Sequence, residues 1–343
     1  MSTLSVPSFS VIGGAEVQNA LEGRHKEIAD IIESAYLLHG RGDTVNPPSY
    51  FLRFPDRPSS RIIALPASVG GEFGVDGIKW ISSFPDNVVA GIPRASAVLI
   101  LNDRTTGYPV ACLESSIISA TRTASSAALA ADRLTAGRER PRRIGFVGTG
   151  LIARHIHAHL LGTGWEFDAA GIFDLSAQHA AGFADYLGRT SGSAGITVHE
   201  SAESLIRGSD LVVFATVAGT PHVHDPAWFE HNPLVLHVSL RDLAPEVVLA
   251  AANVVDDVEH CLKADTSLHL AEQRLGHREF VDATLYDVLT GDWTPPTDRP
   301  VVFSPFGLGV LDLALGKHVL ETARAAGSGT VVDGFFHEVR RYG

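Results

Sequence analysis

A short apolar run, Ile144-Gly-Phe-Val147, delivers the chain into Gly148-Thr-Gly150, and the next strand-like run ends on an acid, Asp174, 24 residues beyond Gly150. No other feature of the sequence narrows the fold as far. The first glycine permits a tight turn, and the second lets backbone approach a pyrophosphate. The small Ala153 lets the following helix pack closely on the strand, with its N-terminus aimed at the phosphates. A carboxylate at the end of the second strand accepts both ribose hydroxyls of NAD and repels the extra phosphate of NADP. Leu-Ser-Ala-Gln follows Asp174 without an arginine, so NAD is the expected cofactor. Glycine-rich turns alone are common; strand, helix and acid in register make this one a dinucleotide grip.

The turn lies near the middle of a 343-residue chain, with about 140 residues ahead of it, which leaves room for two domains. Beyond Asp174 the patterns alternate: a helix over 176–188, a strand over 196–199, a short helix over 202–207, then strands over 211–216, 234–239 and 253–257. Alternation of this kind implies a parallel, doubly wound sheet, which binds ligands at the carboxyl ends of its strands. Thr216, Ser239 and Asp256 or Asp257 are thereby placed toward a site.

The earlier segment reads differently. Helical spacing covers 17–39, strands fall at 61–66, 77–81 and 97–102, Gly107-Tyr-Pro109 makes a hairpin turn into a strand over 110–114, and a helix covers 116–134. A last long helix over 309–326 folds back on this segment. The expected fold class is α/β, with a Rossmann-type doubly wound sheet (131–309) inserted into a second α/β domain formed by both chain ends (1–130 and 310–343). The tail with His337, Arg340 and Arg341 reads as a solvated end.

A formal net charge of −12 argues against binding nucleic acid or an anionic membrane. The sequence holds no run of about 18 uncharged apolar residues to span a bilayer, and no basic-then-hydrophobic leader opens it. Cys112 and Cys261 stand far apart, without ligand spacing, and read as buried thiols in a reduced, cytoplasmic protein. The 16 histidines, His237 and His260 among them, show no paired spacing, so no metal is expected.

Several charged residues stand in apolar or small-residue surroundings. Lys79, inside Gly77-Ile-Lys-Trp-Ile81, either snorkels outward from a half-buried strand or is held in a site against a carboxylate. Arg122, among small neighbours in Ser119-Ala-Thr-Arg-Thr-Ala124, suits a carboxylate or phosphate fork. With Arg53 and Arg94 these cations form a candidate receptor for an acidic small-molecule substrate on an otherwise acidic chain. Asp242 follows the strand ending at Ser239. It either handles protons at the mouth of the sheet or caps the helix that Ala244-Pro-Glu246 begins.

Taken in this order, Lys79, Arg122, the turn at 148–153, Asp174 and Asp242 resemble the ornithine cyclodeaminase/mu-crystallin family. The resemblance runs from roughly residue 45 to 326. Its most specific stretch is Leu101-Asn-Asp-Arg-Thr-Thr-Gly-Tyr-Pro-Val-Ala111, then Glu114 and 119–124. Ser304-Pro-Phe-Gly-Leu-Gly309, followed by Asp312, is similar to the family's nicotinamide-side loop. The resemblance implies a Rossmann domain beside a domain for substrate binding and dimerisation, hence a homodimer. It implies that Arg53, Lys79 and Arg122, with Arg94 as a further contact, hold substrate carboxylate, and that Arg122 also lies near the cofactor phosphates. Asp242 and Lys79 would serve catalysis, Asp242 handling protons at the reacting carbon. Thr123, Leu151, Ile152, Asp174, Thr216, Ser239 and Leu240 would line NAD with Gly148 and Gly150, while Phe306 and Gly307 face the nicotinamide.

Within the family, Arg61-Ile-Ile-Ala-Leu-Pro-Ala67, Gly70-Gly-Glu72, Gly77-Ile-Lys-Trp-Ile81 and Arg94-Ala-Ser96 look like the diaminopropionate-forming branch of siderophore and peptide-antibiotic pathways. That branch oxidatively hydrolyses a secondary amine joining two amino-acid skeletons. True cyclodeaminases carry an acid shortly before the proline that is Pro66 here, to receive ornithine's side-chain ammonium; Ile62-Ile-Ala-Leu65 is apolar. An ammonium without a partner there costs roughly several kcal/mol. The family's lysine shortly after the catalytic aspartate is also missing, with Pro245 and Glu246 in its place. Ornithine cyclodeaminase, alanine dehydrogenase, ketimine reductase and a non-catalytic NAD-binding crystallin-like protein remain as alternatives.

Overall fold

The computed structural model describes residues 6–190 and 195–337; Arg340 and Arg341 lie outside the described residues. The chain divides into two compact units. One takes the described residues through Arg122 and from Leu308 onward; the other is Thr123–Gly307. Boundaries expected at 130/131 and 309/310 fall at 122/123 and 307/308, the first of them inside the helix Ser116–Leu134.

In Thr123–Gly307 the described residues form one eight-stranded parallel sheet. Its order is Gly195–Val198, Ala169–Phe173, Arg143–Val147, Leu211–Phe214, Leu234–His237, Val301–Ser304, Ala252–Val255 and Val281–Thr284. Leu211–Phe214, Leu234–His237, Ala252–Val255 and Val301–Ser304 are buried at every residue, as the interior strands of a sheet covered on both faces must be. The chain runs outward from Arg143–Val147 through the next two strands and then returns to its other side. The crevice of the sheet therefore opens where Arg143–Val147 and Leu211–Phe214 end.

The other unit is built on a second eight-stranded sheet among the described residues. The order is Thr330–Val332, Phe9–Ile12, Pro109–Glu114, Ala95–Asp103, Val75–Ser83, Arg57–Val69 and Thr44–Val45, with Tyr50–Phe54 also paired to Arg57–Val69. Pairing is antiparallel except between Phe9–Ile12 and Pro109–Glu114. Strict alternation sets its two faces: Val75, Lys79 and Ser83 are buried on one, and Trp80 is exposed on the other. The helix Gly309–Ala325 lies on the buried face. A Cβ at Gly316 would stand 2.2 Å from Leu99 Cδ2, so glycine there lets helix and sheet approach. The helical pattern over 17–39 resolves into two helices, Gly14–Leu21 and His25–Gly40, separated by a turn.

Candidate active site

In the parallel unit the glycine turn adopts the geometry its sequence demands. Gly148 has φ +87°, and a Cβ there would lie 2.7 Å from the carbonyl oxygen of Ala215. Nothing stands within 4 Å of the place a Cβ would take on Gly150, the N-cap of the helix Leu151–Gly162. The first amides of that helix are left for an anion. Leu151 is exposed, Ile152 half-buried and Ala153 fully buried against the sheet. Asp174 Oδ2 accepts from the Thr149 amide at 3.0 Å and its hydroxyl at 2.7 Å, and Oδ1 accepts from the Ser176 amide at 2.9 Å. The carboxylate is thus fixed beside the turn, where a ribose falls in such sheets. An open glycine, a helix start and a fixed acid fit a dinucleotide.

Asp242 is fully buried. Its Oδ1 accepts from Thr216 Oγ1 at 2.5 Å and faces His222 Nε2 at 3.0 Å; its Oδ2 accepts from Ser239 Oγ at 2.5 Å and lies 3.3 Å from His237 Nε2. Burial raises its proton affinity, but hydrogen bonds from His222 and His237, the charge of His237 and the Ser239 hydroxyl outweigh that, holding the carboxyl well below the usual range. The short helix Pro245–Leu249 has Ala244 as its N-cap and no side-chain cap, so Asp242 does not serve as that cap. Leu240 takes φ +77°, a left-handed conformation that costs a branched residue about 1–3 kcal/mol. This bend lets Ser239 and Asp242 face each other, and the Ser267 amide secures it on Leu240 O at 2.8 Å. His222 and His237 flank the aspartate, yet no three His, Cys, Asp or Glu among the described residues are grouped to hold a metal ion.

Asp256 braces the loop after Val301–Ser304. It accepts from the amides of Phe306 at 2.9 Å and Gly307 at 2.7 Å. Asp257 caps its own short helix through the His260 amide. Burial and the neighbouring Asp256 push the Cys261 thiol well above its ordinary range, which makes it an inert core thiol.

The second cluster belongs to the other unit. Lys79 is 1% exposed, and its cross-strand neighbours are Leu65 and Leu99, so it occupies a position that the sheet fills elsewhere with leucine. The snorkelling alternative is thereby excluded. Its Nζ donates to Asp312 Oδ2 at 2.6 Å and to Ser119 Oγ at 3.2 Å. Arg122 Nε donates to Asp312 Oδ1 at 3.2 Å. Asp312 comes from the same helix face as Gly316, one turn earlier, which points it into the sheet. Burial and the Arg122 guanidinium draw the Lys79 ammonium down to about 8, against the pull of Asp312.

Arg53 stands directly opposite Arg61 on neighbouring strands, and Arg61 stands opposite Ser83. Directly opposed residues share a face, so both arginines and Ser83 lie on the face that carries Lys79. Arg94 donates to Ser83 Oγ at 2.6 Å. Arg53 is exposed, its guanidinium 5.2 Å from the Phe51 ring centre, and Arg94 is half-buried. Lys79 and Arg122 thus come together on Asp312, while Arg53 and Arg94 gather at the strand end with Arg61. Thr123, the residue after Arg122 on the same helix, is half-buried.

Sequence reasoning did not find His222, and it met Ser119, Arg61, Asp312 and His237 without giving them a role. Arg61 alone had an available signal, since strand register against Arg53 follows once the hairpin at 55–56 is recognised.

The sequence model of the ornithine cyclodeaminase/mu-crystallin family matches residues 14–327. The chain is 28% identical over 320 residues to N-((2S)-2-amino-2-carboxyethyl)-L-glutamate dehydrogenase of Staphylococcus aureus, covering 91% of this chain and 94% of that protein. Among solved structures, an archaeal alanine dehydrogenase dimer with bound NAD superposes with a TM-score of 0.84 at 25% identity, over 96% of this chain and all (100%) of that one. Thermococcus litoralis Δ1-pyrroline-2-carboxylate reductase, in complex with NADH and L-proline, has a TM-score of 0.86 at 24% identity, over 94% of this chain and 100% of that one, a likeness of fold.

Proposed function

The chain belongs to the ornithine cyclodeaminase/mu-crystallin family and is an NAD-dependent oxidoreductase acting on carbon–nitrogen bonds; on that premise we propose that its substrate is N-(2-amino-2-carboxyethyl)-L-glutamate. The products are L-2,3-diaminopropionate, a siderophore or peptide-antibiotic precursor, and 2-oxoglutarate. One observation carries this reading. Lys79 and Arg122 share a single buried carboxylate, Asp312, which leaves one positive charge in excess. A substrate carboxylate neutralises it, and an uncompensated buried charge is otherwise costly. The arginines at the strand end supply a second acid receptor, as a tricarboxylate substrate requires. The residue opposite Lys79 is Leu65, which offers nothing to the side-chain ammonium of ornithine.

NAD, when bound, supplies the acceptor for a hydride from the carbon bearing the secondary amine. Gly148, Gly150, Leu151 and Ile152 hold its pyrophosphate and Asp174 its ribose. Thr123, Thr216, Ser239 and Leu240 line the rest, with Phe306 and Gly307 at the nicotinamide. Lys79 and Arg122, with Arg53 and Arg94, fix the substrate carboxylates and so aim the reacting carbon, where positioning lowers the barrier. Asp242 anchors proton handling as water adds to the carbon–nitrogen double bond.

A second copy of the chain covers the outer face of the sheet that carries Lys79. Tyr50, Ala64, Trp80 and Val98 form one cross-strand row there, with Tyr50, Trp80 and Val98 exposed. The dimeric state of the archaeal relative supports this, and sedimentation velocity tests it. The free thiols of Cys112 and Cys261 suit the cytoplasm.

The experiment is to supply the purified protein with NAD and the aminocarboxyethyl-glutamate. NADH and diaminopropionate should appear together. Silence with that substrate alongside turnover of alanine, or of a cyclic ketimine with NADH, moves the assignment to another member of the family. Tight NADH binding with every substrate silent favours a crystallin-like protein.

A further inference from the structure

The notable property of Asp242 is how thoroughly it is occupied. All its side-chain surface is buried; Oδ1 is engaged by Thr216 and His222 and Oδ2 by Ser239, while His237 Nε2 lies 3.3 Å from Oδ2 and accepts from the Asp242 amide at 3.2 Å. A carboxylate so stabilised holds protons weakly, and one so buried presents no exposed oxygen to a water. Of its partners, Thr216 and Ser239 are hydroxyls that do not ionise near neutrality, and His237 is sealed at 0% exposure. His222 differs, with 38% of its side chain exposed.

The ring of His222 is also well held. Its backbone amide donates to Asp242 O at 3.0 Å, and the next amide, Val223, donates to the same oxygen at 2.9 Å. Its Nε2 meets Asp242 Oδ1 at 3.0 Å. The residue is therefore locked to Asp242 by main chain and side chain together, which leaves Nδ1 as the ring nitrogen directed away. Asp242 is the ionisable group facing the ring, His237 lies across that carboxylate, and His224 and Asp225 follow on the segment of His222 itself.

We propose that His222 is the general acid–base of the reaction, with Asp242 as the buried anion that orients it. An imidazole held by a buried carboxylate through one nitrogen and free at the other is the arrangement by which serine hydrolases move protons. Resting on the oxidative hydrolysis proposed above, the step balances as follows. Hydride removal leaves a carbon–nitrogen double bond. As a water oxygen bonds to that carbon, its proton passes to Nδ1, and the ring returns a proton to the nitrogen. When the carbon–nitrogen bond breaks, the hydroxyl proton leaves through the same ring, the carbonyl of the keto acid forms, and the amine departs protonated.

The test compares His222→Gln, His222→Ala and Asp242→Asn, using whichever amino-acid substrate the wild-type protein oxidises, with NADH fluorescence titration as the check that the nucleotide unit is intact. Turnover should fall about 100-fold or more in all three, the usual range for losing an acid–base group, with NADH affinity nearly unchanged. Imidazole in solution should restore at least tenfold of the loss in His222→Ala and none in Asp242→Asn, where the orienting anion is missing. Turnover within threefold of wild type in both His222 variants overturns the proposal, as does a loss that imidazole leaves untouched. A wild-type protein inert toward every substrate counts instead against the function; an active one indifferent to His222 counts against the dyad alone.

Discussion

Lys79 Nζ lies 2.6 Å from Asp312 Oδ2, although 233 residues separate the two in sequence. The bond fastens the helix near the C-terminal end to the middle strand of the antiparallel meander. Because Arg122 leans on the other oxygen of the same carboxylate, a single acid answers two buried cations. On the proposed function, the charge left over by this arrangement is the one that an acidic substrate neutralises.

Removing that acid should unfold more than it inactivates. Asp312→Ala strips the countercharge from Lys79 and Arg122 at once, and breaking a buried pair from one side costs about 3–5 kcal/mol. Urea denaturation should show the midpoint falling with the slope unchanged. A loss below about 1 kcal/mol would mean that water already reaches the cluster, which is small for any buried ion-pair truncation.

Lys79 also gives a signed pH prediction. Its ammonium is drawn from an ordinary 10.5 to about 8 by burial and by Arg122. Between those two values the unfolded chain binds more protons than the folded one, so this group's contribution to stability rises with pH across the window from about 8 to 10.5. Carboxylate binding runs the other way, because the charged form is the receptor. Calorimetric titration with glutarate should show affinity steady below about 8 and weakening above it. The slope should be absent in Lys79→Gln.

The fold was legible where one physical requirement had one sequence solution. Gly148 must be glycine for φ +87° beside the Ala215 carbonyl, so the turn identified itself. Ser116–Leu134 and Ala202–Arg207 declared themselves by uninterrupted periodicity. Val301–Ser304 was missed because three apolar residues and a serine among prolines and glycines carry too little pattern. At the site, types were readable and pairings were not. Lys79 in an apolar strand signalled a partner, but Asp312 sat in a helix whose buried face is defined only by what it packs against. His222 lies in a loop, where no periodicity says which way a side chain turns.

On the proposed function Asp174 sets the choice of cofactor; its Oδ2 also holds the turn at Thr149, and its Oδ1 accepts from the Ser176 amide. Asp174→Ser removes the negative charge that repels a 2′-phosphate while keeping a short polar side chain. KM for NAD should rise at least tenfold, and the preference for NAD over NADP should shrink by a larger factor. If the ratio stays fixed while both KM values rise, the residue is a brace for the turn and the discrimination lies elsewhere.

Arg53 and Arg61 stand directly opposite each other across a strand pair, a position where like charges are unfavourable. On the proposed function a substrate carboxylate is received by this group of arginines, with Arg94 held at Ser83. Ser83 is four residues along the strand from Lys79, about 13 Å at the usual rise, and the long side chains close part of that gap from each end. One diacid can therefore answer both clusters, whereas a monoacid such as alanine or proline answers only the inner one. Arg61→Gln and Arg94→Gln should raise KM for the aminocarboxyethyl-glutamate at least tenfold each with kcat little changed. Inhibition by glutarate should weaken in parallel, while inhibition by propionate, too short to reach the strand end, should not move. Equal losses for glutarate and propionate would show that the arginines serve the unit's general charge balance, and selection for a second acid group would have to be sought elsewhere.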